Sequence, residues 1–173
     1  TIFSYFLFNN IKQKNPPIAI IEEEDAIYKT NIIKNVNYKS KDNKGNEYIV
    51  DASEGQIDLT NSDIIYLTNV IALIKLKDKK DITITSKFGK YNTVNYNTIF
   101  NENVIINYLD NKINSDYLDF SINRNSLIVS RNVIYTNTEN ILEADVIEMD
   151  IETKDTKIFM FDNKKKVNIK SKN

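Results

Sequence analysis

Two pairs of closely spaced carboxylates are the side chains of this sequence best suited to acid–base chemistry. Asp116 and Asp119 form one pair, and Glu143 and Asp145 form the other. Two carboxylates that flank a glycosidic bond can hydrolyse it, one as the acid and the other as the base or nucleophile. Both pairs fall in or beside the solvent-facing positions of alternating segments. We interpret them as solvated, with a carbohydrate-active β enzyme as the alternative.

The composition excludes most other catalytic and cofactor chemistry. The 173 residues include no Cys, His or Trp, which excludes thiol nucleophiles, Ser-His-Asp triads, zinc fingers and iron–sulfur clusters. Gly45, Gly55 and Gly89 lie too far apart to form a phosphate-binding loop. Residues 42–46 only partly match a calcium-binding loop and are better explained as a hairpin turn. We therefore predict no catalytic residue, no metal site and no cofactor.

The charge balance argues against a nucleic-acid partner. The chain has 23 Lys and Arg against 24 Asp and Glu, a net charge of −1. Nucleic-acid binders usually carry a basic excess, and we interpret the Lys164–Lys166 run as a solvated edge. The length is typical of one domain.

The beginning of the chain is predicted to be different from the rest. Thr1–Phe8 is almost entirely apolar, but a helix that spans a membrane needs about 20 residues. We interpret residues 1–10 as the end of a membrane anchor, with a first strand or an apolar turn as the alternative. Residues 11–25 contain a Pro-Pro pair and are predicted to be an extended linker, which leaves residues 26–173 as one domain.

That domain has the pattern of a long series of β-strands. Short segments alternate apolar and polar residues, with many β-branched and aromatic side chains, and no segment has the spacing of an amphipathic helix. The clearest hairpin joins Val36–Lys41 to Glu47–Ala52 through a turn at Asn43–Asn46. Because Gly and Pro are rare, we expect Asn to supply the left-handed backbone conformations that turns require.

Three features recur in the same order along this series. The first is an Asn-Val dipeptide, the second is a small residue, and the third is a large apolar residue five positions after the small one. The dipeptides are Asn35-Val36, Asn69-Val70, Asn103-Val104 and Asn132-Val133, and Val167 continues the series without its Asn. The small residues are Ala52, Ser86, Ser115 and Ala144, and the large ones are Ile57, Tyr91, Phe120 and Met149. We predict that the Asn begins a strand after a turn, that the small residue permits a bend, and that the large residue fills the space at that bend.

Repeated units of this kind must stack to bury their apolar faces. The predicted fold is an all-β, twisted antiparallel β-jelly roll of two sheets, with a parallel β-helix as the alternative. Its inner face is predicted to consist of Val36, Tyr38, Val50, Ile57, Val70, Ile84, Tyr91, Val104, Ile106, Phe120, Val133, Tyr135 and Met149. A closed core and an open groove for an apolar ligand would both produce this row.

Together, the repeat, the hairpin Val36–Ala52 and the apolar start followed by a linker resemble the LptC family. These are membrane-anchored bridge proteins of bacterial lipopolysaccharide export, built on an OstA-like β-jelly roll. The resemblance covers about Asn31 to Lys170. The sequence differs from the family pattern in having Asn or Lys at most of the usual glycine positions, and it does not contain a full anchor helix.

The resemblance implies a non-enzymatic role in lipopolysaccharide transport from the inner to the outer membrane. The inner-face residues would bind the acyl chains between the two sheets, while sugars and phosphates stay in water. The domain would lie in the periplasm on a single-pass inner-membrane anchor. Strands near Ile27–Tyr38 would contact the inner-membrane ABC transporter, and the last strand, Val167–Lys170, would contact a periplasmic LptA-like bridge protein through Val167 and Ile169. A soluble LptA-like component and a structural β-repeat protein with a closed core are the alternatives.

Overall fold

The computed structural model describes most of the predicted β domain. The described residues are 31–41, 45, 47–75, 77, 80–95, 97–121, 124, 126–150, 153 and 155–172. The predicted anchor (residues 1–10), the linker (11–25) and most of the turn at residues 42–46 lie outside them. No helix among the described residues is long and apolar enough to cross a membrane.

The described part of the chain contains ten β-strands. They are β1 (Ile32–Lys41), β2 (Glu47–Ile57), β3 (Ile64–Lys75), β4 (Ile82–Asn92), β5 (Thr98–Tyr108), β6 (Asn111–Ser121), β7 (Ser126–Thr136), β8 (Asn140–Asp150), β9 (Thr156–Phe159) and β10 (Asn168–Ser171). All pairings are antiparallel, and β1 to β8 are neighbours in chain order. The predicted all-β antiparallel jelly roll is confirmed, with one refinement: its strands form a single hydrogen-bonded sheet that is folded on itself.

The turns between strands are built largely from side-chain acceptors of Asn and Asp. Oδ1 of Asn92 accepts hydrogen bonds from the backbone N–H of Val94 (2.9 Å) and Asn95 (3.0 Å). Oδ1 of Asp58 accepts from the hydroxyl (2.6 Å) and the N–H (2.8 Å) of Thr60, which lower the pKa of Asp58 to about 2. Such side-chain turns take the place of glycine and proline turns, since both residue types are rare in this sequence.

The Asn of each Asn-Val dipeptide lies in the middle of a strand. Asn35, Asn69, Asn103 and Asn132 have φ angles of 54°, 53°, 54° and 56° within β1, β3, β5 and β7. The prediction that these residues begin strands after turns is therefore wrong, although Asn does supply left-handed conformations. Asn tolerates this region better than most residues because its short polar side chain can form local hydrogen bonds.

These asparagines lie on one line across the sheet, which we call the crease. It consists of the four Asn-Val dipeptides on the odd-numbered strands and of Ala52, Ser86, Ser115 and Ala144 on the even-numbered ones. The valines stand opposite the small residues, as in Val36 with Ala52, Val70 with Ser86, Val104 with Ser115 and Val133 with Ala144. The predicted bend at the small residues thus continues through both kinds of strand.

In β5 and β7 the crease contains a β-bulge. Glu102 and Arg131, which precede Asn103 and Asn132, also have positive φ angles of 60° and 65°. The pairing of β5 with β6 and of β7 with β8 shifts by one residue at these points. A bulge of this kind adds a residue to one strand and increases its local bend.

The sheet folds sharply enough at the crease to bring its two halves together. A Cβ atom built on Gly55 would lie 2.8 Å from Cγ2 of Val36, and one on Gly89 would lie 3.1 Å from Cγ2 of Val70. In each case the valine pairs with a residue three positions before the glycine, which is about 10 Å away in a flat strand. The valine side chain therefore packs across the fold.

Candidate functional site

The inner face of the folded sheet is the candidate site. On one side of the crease lies the upper half-sheet, which ends where β1 connects to β2, β3 to β4, β5 to β6 and β7 to β8. On the other side lies the lower half-sheet, which ends where β2 connects to β3, β4 to β5, β6 to β7 and β8 to β9. The inner surfaces of both halves are apolar on the eight long strands, β1 to β8.

All thirteen residues of the predicted inner row fall on this face. Nine of them belong to the apolar cluster or pack against it: Val36, Val50, Val70, Ile84, Tyr91, Val104, Ile106, Val133 and Tyr135. Strand alternation places the other four, Tyr38, Ile57, Phe120 and Met149, on the same face but farther from the crease. Whether lipid contacts any of them stays a prediction.

The sequence analysis missed part of the same surface. The buried residues Leu67, Ala72, Phe100, Leu118, Val129 and Ile147 also belong to the cluster. The prediction followed the recurrent Asn-Val, small and large residues, and these six residues belong to none of those three sets. A regular spacing in the sequence could have identified some positions on this face. The position three residues after each small residue is occupied by Gly55, Gly89, Leu118 and Ile147.

The residues that fill the bend are also different from those predicted. The large residues five positions after the small ones, such as Phe120 and Met149, lie toward the rim of the lower half-sheet. The bend is instead filled by the valines of the crease and by the residues three positions after the small ones. Close packing at the bend explains why glycine occupies this position in β2 and β4, where a Cβ would approach a valine.

Burial of the inner face falls with distance from the crease. Val70, Val104, Leu118 and Val133 beside it are 0–1% exposed. Tyr38, Ile57, Phe120 and Met149 are half-buried, and Ile74, at 8%, is the exception near the upper rim. Because burial of the inner face is greatest at the crease and decreases toward the rims, we describe the cross-section of the folded sheet as V-shaped. We call the space between its arms the trough.

Polar groups lie at one rim of the trough. The hydroxyl of Tyr135 donates a hydrogen bond to Oδ1 of Asn111 (2.6 Å) and accepts one from Nδ2 of Asn137 (3.1 Å). Nδ2 of Asn111 donates to the carbonyl oxygen of Tyr108 (3.2 Å). The ring of Tyr135 therefore faces the apolar interior while its hydroxyl belongs to a polar network at the rim, as is common for tyrosine at such boundaries.

The two carboxylate pairs considered for catalysis have structural partners. Asp116 accepts a hydrogen bond from Nδ2 of Asn132 (2.6 Å), and Asp119 forms an ion pair with Arg124 (2.5 Å). Asp145 accepts from the backbone N–H of Phe161 (2.8 Å). Glu143 contacts Nδ2 of Asn168 (3.2 Å) and Nζ of Lys170 (3.7 Å). Among the described residues, no group of three acidic side chains is placed to hold a metal ion.

The predicted partner edge lies at the end of the sheet beyond β8. β9 pairs with Val146–Met149, and β10 pairs with Asn140–Glu143, so both lie along the same edge. Ile169 pairs with Leu142 and is 65% exposed, whereas half-buried Val167 just precedes β10. The last strand therefore begins one residue later than predicted.

One comparison with known proteins identifies a family. Residues 1–159 match the family model described as "Lipopolysaccharide-assembly, LptC-related". This match includes β1 to β9, together with the whole crease and the trough. A search of curated proteins finds no match.

Proposed function

This chain belongs to the LptC-related family of lipopolysaccharide-assembly proteins, and we propose that it carries lipopolysaccharide from the inner toward the outer membrane without altering it chemically. The observation that carries this proposal is the V-shaped trough, whose walls are apolar from β1 to β8 and whose burial decreases toward the rims.

The acyl chains of the glycolipid would lie in the trough. Each buried methylene contributes about 0.8 kcal/mol, so several chains would bind without any polar contact. The charged head group would remain in water beyond the rims. It would keep its hydration, so no desolvation cost would oppose binding. Side chains such as Tyr38 and Phe120, which are half-buried, would become covered.

The position of the protein in the transport system follows from the same proposal. Residues 1–10 would be the end of an inner-membrane anchor, and the β domain would lie in the periplasm. The end of the sheet at β1 would accept the glycolipid from the inner-membrane ABC transporter. The other end, at Val167 and Ile169, would pass it to a periplasmic LptA-like protein by strand addition.

Two alternatives predict different observations. A soluble LptA-like component would have the same trough but no anchor, and it would be released from membranes by high salt. A structural β-repeat protein with a closed core would bury both arms equally, which the half-buried residues near the rims argue against.

Site-specific photo-crosslinking in cells tests the proposal. A photoreactive residue at Ile106 or Tyr135 should capture lipopolysaccharide because both positions face the trough. Ile134 is the matched control, since it neighbours Tyr135 on β7 but is 40% exposed on the outer face. Capture at Ile134 equal to that at Tyr135 would contradict the proposal, and so would the absence of capture at both trough positions.

A further inference from the structure

The outer face of the lower half-sheet carries a second concave surface, which we call the outer groove. It has a volume of about 330 Å³, and the residues that matter for its chemistry are Tyr66, Phe88, Lys90, Asn101, Tyr117 and Arg131. It lies on the opposite side of the sheet from the trough, and neither the crease nor acyl-chain binding accounts for its side chains.

Two cross-strand rows build this groove. In the row beside the crease, Phe88 pairs with Asn101 and Asn101 pairs with Tyr117. In the next row, Tyr66 pairs with Lys90 and Lys90 with Ile99. Together the two rows span four strands, β3 to β6. At an interval of about 4.8 Å between neighbouring strands, the surface is about 14 Å long. Because strand pairing fixes the register, the spacing of these side chains is fixed as well.

The groove presents aromatic rings and positive charges side by side. Tyr66 is 42% exposed and Phe88 is 36% exposed. Nζ of Lys90 lies 5.8 Å from the centre of the Tyr66 ring, and the guanidinium carbon of Arg131 lies 4.8 Å from that of Tyr117. Burial, followed by the charge of Asp119, raises the pKa of Tyr117, so its hydroxyl stays protonated and can donate a hydrogen bond.

Two of the groove's cations have no described carboxylate within ion-pair distance. Lys87 beside the groove pairs with Glu102 at 2.8 Å, and Asp119 pairs with Arg124. Among the described residues, neither Lys90 nor Arg131 forms an ion pair with a carboxylate. The groove therefore has an excess of positive charge in a protein whose net charge is −1.

The backbone at Arg131 adds a second indication. Arg131 has a φ angle of 65° within the bulge of β7, a conformation that costs about 1–2 kcal/mol for a residue with a Cβ. The following residue, Asn132, also has a positive φ angle. An asparagine or a glycine in place of Arg131 would adopt this conformation with less strain. An arginine at this position holds its guanidinium over Tyr117, at the end of the groove.

We propose that the outer groove binds an anionic saccharide. Aromatic faces attract the partially positive C–H groups of sugar rings, Asn101 offers an amide to their hydroxyls, and Lys90 and Arg131 are placed to form charge-assisted hydrogen bonds with a phosphate or carboxylate. This site is separate from the trough, so it goes beyond the transport role proposed above. An acidic peptide would match only the positive charge of the groove, and it would leave the two exposed rings, Tyr66 and Phe88, unexplained.

The test measures saccharide binding to the full chain by calorimetry. The probes are the phosphorylated core oligosaccharide released from lipopolysaccharide by mild acid, the same oligosaccharide after dephosphorylation and reduction of its carboxyl groups to alcohols, and a carboxylated cell-wall glycan fragment. We expect at least one anionic probe to bind about tenfold more tightly than the dephosphorylated one, with affinity falling as salt rises. The two anionic probes distinguish phosphate-bearing from carboxylate-bearing sources.

Substitutions then locate the site. Lys90→Gln with Arg131→Gln should weaken binding of the anionic probe about tenfold, and Phe88→Ala should weaken both anionic and neutral probes. Lys112→Gln is the matched control, because Lys112 is an exposed lysine of the upper half-sheet. Thermal unfolding of each variant checks that the fold is kept, and crosslinking of lipopolysaccharide at Tyr135 reports on the trough independently.

Three results would overturn the inference. They are affinity of both anionic probes no greater than that of the dephosphorylated oligosaccharide, unchanged affinity in the Lys90→Gln, Arg131→Gln variant, and tighter binding of a polyglutamate peptide than of either anionic saccharide. None of these results would bear on acyl-chain binding in the trough, which Tyr135 crosslinking tests separately.

Discussion

Four asparagines in the middle of strands carry the backbone conformations on which the bent sheet depends. A left-handed residue inside a strand interrupts the alternation of side chains, so the apolar face continues on both sides of the bend. Asn69 also donates a hydrogen bond from Nδ2 to Oγ of Ser53 at 3.0 Å, across to the neighbouring strand. These residues therefore act on the shape of the protein through their backbone more than through their contacts.

Substitution of Asn69 by alanine should destabilise the protein by about 1 kcal/mol. Alanine has no polar side chain to support a positive φ angle, and this region costs about 1–2 kcal/mol for residues other than glycine. Urea unfolding gives the free energy, and Asn69→Gly should retain more of the stability than Asn69→Ala. The matched control is Asn107→Ala, since Asn107 is exposed in β5 and has an ordinary φ angle. A control variant that loses as much as Asn69→Ala would contradict the role of the left-handed conformation.

At the scale of strands, each hairpin contributes one valine and one small residue to the crease. The valine fills the inside of the bend, and the residue three positions after the small one faces it across the fold. Where that residue is Gly55 or Gly89, the valine approaches the backbone directly. In the β5–β6 and β7–β8 hairpins, a bulge adds one residue to the odd-numbered strand. There the position three residues after the small one is occupied by Leu118 and Ile147 instead of glycine.

Gly89→Ala should destabilise the protein by about 1–3 kcal/mol, the range typical of overpacking. The new Cβ would lie 3.1 Å from Cγ2 of Val70, which is 1% exposed, so the valine would have to shift within the packed core. Val70→Ala alone should also destabilise, because it leaves a cavity. The double variant should lose less stability than the sum of the two single losses. The Cβ added at position 89 would occupy the cavity left by Val70→Ala, and the smaller residue at position 70 would remove the close contact. Urea unfolding of the three variants measures this coupling, and strict additivity would show that the two residues do not meet across the fold.

The sequence was sufficient to predict the strands, the register of the first hairpin and part of the inner face. It predicted these because β-branched alternation and the recurrent Val and small residues are local signals. The crease was misplaced because a left-handed Asn has the same sequence signature in a turn as in a bulge, and only strand pairing distinguishes the two. The outer groove was not predicted at all, since Tyr66, Lys90 and Arg131 come together only through the register of five strands.

At the scale of the whole molecule, the long strands form a chain of nearest neighbours. Each of β2 to β7 pairs only with the strand before it and the strand after it. Among the ten described strands, no crossover ties the first hairpin to the last. Stability should therefore be distributed as in repeat proteins, where each unit depends on its neighbours.

Hydrogen exchange should therefore be graded along the sheet. Amides of β4 to β6 should be the most protected, because opening them requires loss of pairing on both sides. Amides of β10 should exchange earlier, as its four residues have exposed side chains and pair only with β8 within the described part of the chain. Mass spectrometry of exchanged peptides measures this gradient. Equal protection in all strands would indicate a single cooperative opening and contradict the view of stacked units.

The outer edge of β8 is shared by two short strands, and this has a consequence for growth of the sheet. β9 and β10 each supply a ladder of four residues, and between them the chain leaves the edge from Met160 to Val167. An incoming strand would find regular partners only in two separate stretches, with an interruption level with Ala144 and Asp145. An interrupted edge of this kind disfavours the repeated addition of strands that leads to aggregation. It favours binding of a partner strand whose backbone also bends at the interruption.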